Sequence, residues 1–196
     1  MITTVFFDID GVLLIGEPWH KDLASVYGIT DKMLAIFFRD SFQACLVGKA
    51  DLRVALTPYL TRWGWPHTVE DFIDYWFRHH TIHEELLQYI QQLRERGLKC
   101  YLATQQERYR TNYILHDLGF AHLFDGVFSS VDVGSMKSDP LFFETVLHKI
   151  GTCQPEEVLF WDDSAGNVAT ARSLGIQAEV YRDFASFALT MREYAK

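Results

Sequence analysis

The sequence has few cysteines and fewer basic than acidic residues, and both shortages restrict what the protein can be. Its three cysteines are odd in number, widely spaced and without a CxxC pair: Cys45, Cys100 and Cys153. We therefore expect reduced thiols in a cytoplasmic protein rather than a disulfide framework. Lys and Arg number 18 against 26 Asp and Glu, which gives a formal net charge of −8. Because nucleic acids and anionic membranes bind basic surfaces, we expect neither as a partner.

Long apolar runs, internal repeats and low-complexity tracts are also missing. No segment approaches the ~20 apolar residues of a membrane span. The apolar start, residues 1–7, lacks a basic region and is too short for a signal peptide. The 196 residues are 48% hydrophobic and 22% charged, ordinary values for a globular protein, which exclude the disordered and fibrous classes. This length fits one domain, or one domain with a modest insertion.

Apolar runs of strand length alternate along the chain with helical patterns that end at glycine. The runs are residues 2–7, 98–103, 124–129, 158–161 and 178–181. The helical patterns between them stop at glycines that are expected to cap the helices in the left-handed conformation: Gly97, Gly119, Gly151 and Gly175. Continuous apolar strands that alternate with amphipathic helices predict an α/β fold with a Rossmann-like parallel sheet, covered by helices on both faces.

Residues 15–84 depart from this alternation. They lack a clear buried strand but carry helical patterns, such as Leu52, Leu56 and Leu60. We therefore predict a core formed by residues 1–14 and 85–196, with a small helical cap, residues 15–84, inserted after the first strand. The aromatic side chains of this segment are expected to form the small core of the cap: Trp63, Trp65, Phe72, Tyr75, Trp76 and Phe77.

Side chains that can do chemistry follow four of the predicted strands at their carboxyl ends, where ligands bind in open parallel sheets. They comprise four carboxylates, a hydroxyl, an amide and an ammonium group: Asp8, Asp10, Thr104, Gln105, Lys137, Asp162 and Asp163. Clustered carboxylates repel one another unless a cation lies among them. We expect Mg²⁺, which prefers carboxylate and carbonyl oxygens and accepts a phosphate oxygen. His79, His80 and His83 lack the pattern of a zinc site and are interpreted as surface or packing residues.

Four ordered motifs resemble those of the haloacid dehalogenase superfamily of hydrolases, and the resemblance covers nearly the whole chain. Residues 8–13 (DIDGVL) match the DxDGV(L/I) signature after the first strand, and residues 102–104 (LAT) match an apolar run ending in Thr or Ser. Residues 137–140 (KSDP) resemble the lysine motif, often written KPDP, and residues 160–164 (FWDDS) match the acidic motif. The helical insertion has the position and character of the family's C1 cap.

The resemblance implies a Mg²⁺-dependent phosphatase, a phosphoric monoester hydrolase. Asp8 would be the nucleophile that forms an aspartyl-phosphate, and Asp10 the general acid/base. Thr104 would donate a hydrogen bond to a phosphate oxygen, and Lys137 would neutralise the charge of phosphate and nucleophile. The implied metal site has four aspartates: Asp8, Asp10 through its backbone carbonyl, Asp163 as the direct ligand of the acidic pair, and Asp162 through water or as a support.

Asp10 separates phosphate chemistry from dehalogenation. Haloacid dehalogenases proper lack an acid/base Asp two residues after the nucleophile, because the departure of a halide needs no protonation. The sequence departs from the family pattern at Gln105, where many relatives have Asn, and at Ser138, where Pro is common. Gln105 is expected to contact the substrate. Asp139 and Pro140 are given a structural role, as a helix N-cap followed by Pro at the first helical position.

The cap is expected to bind the leaving group. Glu17, Trp19 and His20 follow the first motif and should lie near the site entrance. A closing cap suits a small phosphorylated metabolite, such as a sugar phosphate, better than a phosphoprotein. Three cap cations are further candidates, although a solvated helix face is the commoner role for such residues: Arg39, Lys49 and Arg53.

Two other functions stay open from the sequence. A phosphotransferase of the same superfamily, similar to the sugar phosphate mutases (phosphoglucomutase-like), uses the same residues and passes the phosphoryl group to a sugar hydroxyl. A non-catalytic phosphate-binding or phospho-receiver protein also gathers acids, a Thr and a Lys at a sheet edge. It has no use for an insertion at residues 15–84 or for Asp10. The sequence does not predict an oligomeric state.

Overall fold

The computed structural model describes residues 1–16, 18–151 and 154–194, so Glu17 and Cys153 lie outside the described residues. Seven strands are present within these ranges: β1 (Thr4–Phe7), β2 (Leu14–Ile15), β3 (Thr81–Ile82), β4 (Lys99–Thr104), β5 (Gly126–Ser129), β6 (Val158–Asp162) and β7 (Gln177–Val180). Five of them form a parallel sheet in the order β5-β4-β1-β6-β7. The other two, β2 and β3, form a separate antiparallel pair.

Helices follow the strands in two groups. Five lie between β2 and β3: α1 (Leu23–Tyr27), α2 (Asp31–Asp40), α3 (Phe42–Leu46), α4 (Leu52–Trp63) and α5 (Val69–Arg78). Six more accompany the sheet: α6 (Glu84–Glu95), α7 (Arg108–Asn112), α8 (Ser130–Val133), α9 (Pro140–Ile150), α10 (Ala165–Ser173) and α11 (Phe184–Tyr194). Short 3-10 turns cover Phe120–His122 and Pro155–Glu157. None of the helices in the described ranges is long and apolar enough to cross a bilayer.

The parallel sheet is buried on both faces, as the continuous apolar strands predict. All four residues of β1 are buried. Alternate side chains of this strand enter different clusters, with Phe7 packed among side chains of α6 and α11 and Phe6 among those of α9 and α10. The α/β fold with a helix-covered parallel sheet is therefore confirmed. The four glycines predicted to end helices have φ values from 74° to 92°, which confirms their role as caps.

One helical pattern folds differently from the prediction. The residues before Gly119 were expected to form a single helix, but α7 continues as a π-helical turn at Tyr113–Asp117. At the wider turn, two neighbouring side chains pack in different directions. Ile114 is buried in the cluster beside the sheet, whereas Tyr113 also packs against Phe77 of the inserted helices. Single π-turns of this kind are often found near functional sites.

The inserted helices have a core of their own. The predicted aromatic residues lie in it, with Trp63, Trp65, Phe72 and Phe77 buried and the rings of the other two packed at its edge. The sequence showed no strand in this region, because β2 and β3 have two residues each and leave no periodic pattern. The chain leaves the sheet through β2 and returns through β3, close to the predicted limits. The division into a core of residues 1–14 and 85–196 and a cap of residues 15–84 stays a prediction.

Candidate active site

The carboxyl ends of three neighbouring strands bring the predicted residues to one edge of the sheet. Phe7 of β1 lies in register with Leu102 of β4 and Trp161 of β6. The backbone N–H of Asp8 donates to the carbonyl of Trp161 at 2.9 Å, which continues the ladder beyond the strand. Because the strands are parallel and in register, Asp8, Thr104 and the acidic pair after Trp161 leave the sheet side by side.

Lys137 lies between two carboxylates at this edge. Its Nζ atom is 2.5 Å from Oδ1 of Asp8 and 2.6 Å from Oδ2 of Asp162, and all three side chains are buried. A buried ammonium is costly unless it is paired, and here two carboxylates pair it. The loop before α9 delivers the lysine. Asp139 accepts from the N–H of Leu141 and so caps that helix, as the sequence predicted.

Asp162 is fixed by the chain that follows it. Its carboxylate accepts from the backbone N–H of Ser164 at 2.8 Å and from Nδ2 of Asn167 at 3.2 Å, besides Lys137. Asp163 is the more exposed member of the pair. One carboxylate oxygen from each of Asp8, Asp162 and Asp163 lies within 4.8 Å of the others. Within the described parts of the chain, this is the one such grouping of acidic, His or Cys side chains.

The pKa values of this cluster reflect crowded, buried charge. Burial raises the pKa of Asp8 to about 7; the Lys137 charge opposes the rise and the Asp162 charge adds to it. Burial and the Asp162 charge raise the pKa of Asp163. Burial would lower the pKa of Lys137, but its two carboxylate partners outweigh it and the net change is upward. Three carboxylates beside a single ammonium leave excess negative charge, and an all-oxygen donor set of this kind fits a hard cation such as Mg²⁺.

Thr104 ends β4 with a buried hydroxyl. The side chain is 1% exposed, and its Oγ1 atom has no hydrogen-bond partner among the residues that the structure describes. Leaving a buried polar group unpaired costs about 1–3 kcal/mol, so such groups are rare in native proteins. A ligand oxygen at the end of β4 would satisfy this hydroxyl.

The Asp10 carboxylate is held apart from the buried cluster. Its Oδ1 atom accepts from an Nη atom of Arg110 at 3.1 Å, and its Oδ2 atom accepts from Nε2 of Gln106 at 2.6 Å. Sequence reasoning missed both donors. Gln106 lies in the loop after β4 and Arg110 in α7, so the one available signal was their position a few residues after Thr104, at the end of a predicted strand. The predicted contact of Gln105 with the substrate stays a prediction, and its neighbour Gln106 is the residue that contacts Asp10.

A cavity of about 510 Å³ opens beside Asp10 and reaches the inserted helices. Its far wall includes Trp19, Trp76, His79 and His80, with the two indole rings stacked at 5.3 Å between centroids. Trp19 thus lines the cavity beside Asp10, and its predicted contact with the substrate stays a prediction. His20 does not line this cavity, because its ring pairs with Asp31 at 2.9 Å. Glu17 lies outside the described residues.

The three cap cations have other contacts. Arg39 pairs with its neighbour Asp40, and Arg53 lies over the ring of Tyr109. Lys49 lines a second cavity, of about 280 Å³. Of the described residues that line the cavity beside Asp10, none is one of these three. The histidines pack against backbone groups, as predicted: Nδ1 of His79 contacts the carbonyl of Tyr75, Nδ1 of His80 contacts that of Phe77, and Nδ1 of His83 accepts from the N–H of Leu86.

Comparison with known proteins places this geometry among characterised folds. A family model for haloacid dehalogenase-like hydrolases matches residues 2–175. A HAD family enzyme from Bacteroides thetaiotaomicron, solved in complex with magnesium and inorganic phosphate, aligns with a TM-score of 0.80 and 18% identity over 95% of this chain and 99% of that one. The L-2-haloacid dehalogenase from Xanthobacter autotrophicus aligns with a TM-score of 0.68 and 21% identity over 100% of this chain and 83% of that one. At these identities the likeness concerns the fold.

A curated relative matches a shorter stretch. Drimenol cyclase drtB from Aspergillus calidoustus is 46% identical over 59 residues, which make up 30% of this chain and 11% of that protein. The matched stretch thus spans about a tenth of the length of that relative. The match shows local similarity and does not extend to the whole of the larger protein.

Proposed function

Because the chain belongs to the haloacid dehalogenase-like hydrolases, we propose that it is a Mg²⁺-dependent phosphomonoester hydrolase that acts on a small phosphorylated metabolite. One observation carries the proposal: a buried lysine bridges the first Asp of the DxD motif and a second acid, while the second Asp of the motif stands free of that cluster beside a cavity. This separation suits two carboxylates with different tasks.

In the proposed reaction an Asp8 oxygen attacks the phosphorus atom of the substrate. The bond from phosphorus to the alcohol oxygen breaks, an aspartyl-phosphate forms, and Asp10 gives a proton to the departing alcohol. Lys137 neutralises charge on Asp8 and on the incoming phosphate, and the unpaired Thr104 hydroxyl donates to a phosphate oxygen. Asp10 then takes a proton from the water that attacks the aspartyl-phosphate, which releases inorganic phosphate and restores Asp8.

The acidic residues at the same edge would hold the metal. Asp8 and Asp163 would supply carboxylate oxygens and Asp10 its backbone carbonyl, while Asp162, fully engaged with Lys137, Ser164 and Asn167, would orient the group. When bound, Mg²⁺ supplies positive charge that offsets the crowded carboxylates and the phosphate. The Bacteroides structure, solved with magnesium and inorganic phosphate, supports this choice of ion and ligand.

The cavity beside Asp10 supports a small alcohol that carries hydroxyl groups. Nδ1 of His80 contacts the Phe77 carbonyl, which can only accept, so Nδ1 carries the proton. Burial lowers the pKa of His80, so the ring is neutral at pH 7 and its Nε2 atom is an acceptor. Trp19 and Trp76 also line the cavity and add an apolar part to its wall. Acceptors beside an apolar wall fit a ring with hydroxyl groups, such as the sugar of a sugar phosphate.

The comparisons also raise dehalogenation, since one structural neighbour is an L-2-haloacid dehalogenase. Asp10 favours phosphate chemistry, because a halide leaves without a proton. The name of the curated relative supports no substrate for this chain, since the matched segment covers 11% of that protein. A cytoplasmic location belongs to the same proposal and is supported by the free, buried thiols of Cys45 and Cys100.

A hydrolysis screen over phosphorylated metabolites with Mg²⁺ tests the proposal, with released inorganic phosphate as the readout. Sugar phosphates are scored for free phosphate and for isomerised sugar phosphate. Free phosphate from small esters is the expected result. Isomer without free phosphate would identify a phosphotransferase instead. Turnover of bulky phosphopeptides but not of small esters would overturn the substrate class, and halide release from 2-haloacids without any phosphate release would overturn the reaction.

A further inference from the structure

Arg110 connects Asp10 to the inserted helices through two hydrogen bonds of one guanidinium. One Nη atom donates to Oδ1 of Asp10 at 3.1 Å, and the other donates to the carbonyl of Phe77 at 2.7 Å. Asp10 follows β1 of the sheet, whereas Phe77 lies in the last turn of α5. The guanidinium therefore spans the junction between the sheet and the inserted segment.

The position of this guanidinium is tightly determined. The Arg110 side chain is 9% exposed, and its charge lies 5.2 Å from the ring centre of Phe77 and 5.8 Å from that of Tyr113. A buried cation without partners is strongly unfavourable, so Arg110 depends on both Asp10 and the Phe77 carbonyl. That carbonyl also contacts Nδ1 of His80 in the wall of the cavity beside Asp10.

Asp10 depends equally on its donors. Its side chain is 57% exposed, so nothing but hydrogen bonds fixes the rotation of the carboxylate. Arg110 holds one oxygen and Gln106 the other. We propose that Arg110 is a positioning residue that sets the orientation of the Asp10 carboxylate according to the position of the α5 end. This inference rests on the proposed function, in which Asp10 gives a proton to the departing alcohol.

The geometry gives the proposal a specific form. The two Nη atoms of a guanidinium are fixed in one plane. If Phe77 shifts relative to the sheet, the Nη atom that donates to its carbonyl shifts with it, and the Nη atom that donates to Asp10 must move as well. Placement of the proton donor is thereby coupled to the placement of the cavity wall that would contact the alcohol. A lysine at the same position keeps the charge, but its single nitrogen does not reproduce a planar fork.

A comparison of two leaving groups tests the role. We expect Arg110→Met to lower kcat/KM for an alkyl or sugar phosphate roughly tenfold to hundredfold, the range set by a misplaced proton donor. For p-nitrophenyl phosphate, whose leaving group departs without a proton, kcat/KM should fall less than about threefold. The parameter kcat/KM reports only steps up to departure of the alcohol, so the later attack of water does not enter the comparison.

The ratio of the two kcat/KM values separates positioning from a structural role. Partial misfolding lowers both rates by the same factor and leaves the ratio unchanged. Arg110→Lys is the conservative variant, and we expect its ratio to stay shifted because one nitrogen replaces the fork. Arg78→Gln is the matched control, since Arg78 is exposed, pairs with Asp74 and lies one residue after Phe77. Its ratio should equal that of the wild type.

The outcomes distinguish this inference from the proposed function. An unchanged ratio in both Arg110 variants, with an active wild type, would overturn the positioning role and leave the phosphatase proposal standing. Full restoration of the wild-type ratio by Arg110→Lys would contradict the requirement for two nitrogen donors on one guanidinium. If the Met variant does not fold, the Lys variant supplies the same ratio. A wild type without any phosphatase activity would instead overturn the proposed function on which the inference rests.

Discussion

A methyl group added to Gly11 would overlap the carboxylate of Asp163. Gly11 also has a φ of 79°, a conformation that residues with a Cβ atom rarely adopt. Glycine is thus needed here for two reasons, the turn after Asp10 and the close approach of an acidic side chain. The first motif and the acidic motif of the sequence meet at this contact.

We therefore expect Gly11→Ala to weaken Mg²⁺ binding and turnover together, because the new methyl group must displace Asp163. The left-handed backbone adds a loss of about 1–2 kcal/mol in the free energy of unfolding. Gly28→Ala is the matched control, since Gly28 has a φ of 70° and open space around its Cα. Mg²⁺ titration and thermal melting of both variants check the prediction. Equal Mg²⁺ affinity in the two variants would contradict it.

Asp8→Asn should abolish turnover while the protein stays folded. The amide keeps the size of the side chain but is not a nucleophile, and Lys137 retains Asp162 as a partner at 2.6 Å. Release of inorganic phosphate, together with a melting curve, measures both parts. In the wild type, rapid acid quenching during turnover should trap one phosphoryl group on the peptide that contains Asp8. Activity retained by the Asn variant would remove Asp8 from the role of nucleophile.

Asp163→Asn should raise the melting temperature of the metal-free protein but reduce the gain that Mg²⁺ provides. The change removes one of three crowded carboxylates, whose mutual repulsion only a cation relieves. A bound ion at a hundredfold excess over its Kd stabilises the native state by about 3 kcal/mol. Thermal melting in EDTA and in Mg²⁺ measures both effects. Asp139→Asn also removes one charge, retains a helix cap and should leave the Mg²⁺ gain intact.

Thr104→Val should leave stability unchanged or slightly improved and weaken phosphate binding. Valine has the shape of threonine and removes a buried hydroxyl that lacks a partner, so no hydrogen bond among the described residues is lost. Thr111→Val is the contrasting variant, because the Thr111 hydroxyl donates to the Glu107 carbonyl at 2.8 Å. We expect it to lose about 1 kcal/mol of stability. Inhibition by inorganic phosphate and thermal melting distinguish the two, and a destabilised Thr104→Val would contradict the assignment.

Cys45 and Cys100 should resist thiol reagents at pH 8 in the folded protein. Burial raises the pKa of Cys45 to about 11 and that of Cys100 to about 12, so at pH 8 both are neutral thiols, and the thiolate is the reactive form. Mass spectrometry of peptides after brief alkylation, with and without denaturant, measures each site. Modification of Cys100 in the native protein at the rate seen in denaturant would contradict its burial.

Some site residues could be placed from the sequence because each stands at the end of a predicted strand. Asp8, Thr104 and Asp162 each follow a run of apolar residues, and a parallel sheet in register brings such positions to one edge. Lys137 was singled out because it lies in the loop after the third apolar run and because residues 137–140 resemble the lysine motif of the family. The fold class followed from the same alternation. In each case the deciding signal was local to the chain.

The contacts of Asp10 could not be predicted in the same way. Arg110 lies 100 residues from Asp10 in the chain and 33 from Phe77, and its second partner is a backbone carbonyl, which every residue possesses. The contact of Gln106 with Asp10 depends on the path of the loop after β4, which no local pattern specifies. Packing between the sheet and the inserted helices decides such details, and side-chain identity alone does not carry that information.

The β2–β3 pair has a consequence for protein engineering. Leu14 lies opposite Ile82 and Ile15 opposite Thr81. The inserted segment therefore begins and ends at adjacent points, about 5 Å apart as in any strand pair. A two-residue Asn-Gly turn could close that gap and replace residues 16–80. If the inserted helices select the alcohol, as we propose, they form a segment that can be exchanged without changing the sheet. Grafting another segment between β2 and β3 would then redirect specificity, while Asp8 at the end of β1 and Lys137 in the loop before α9 keep their places.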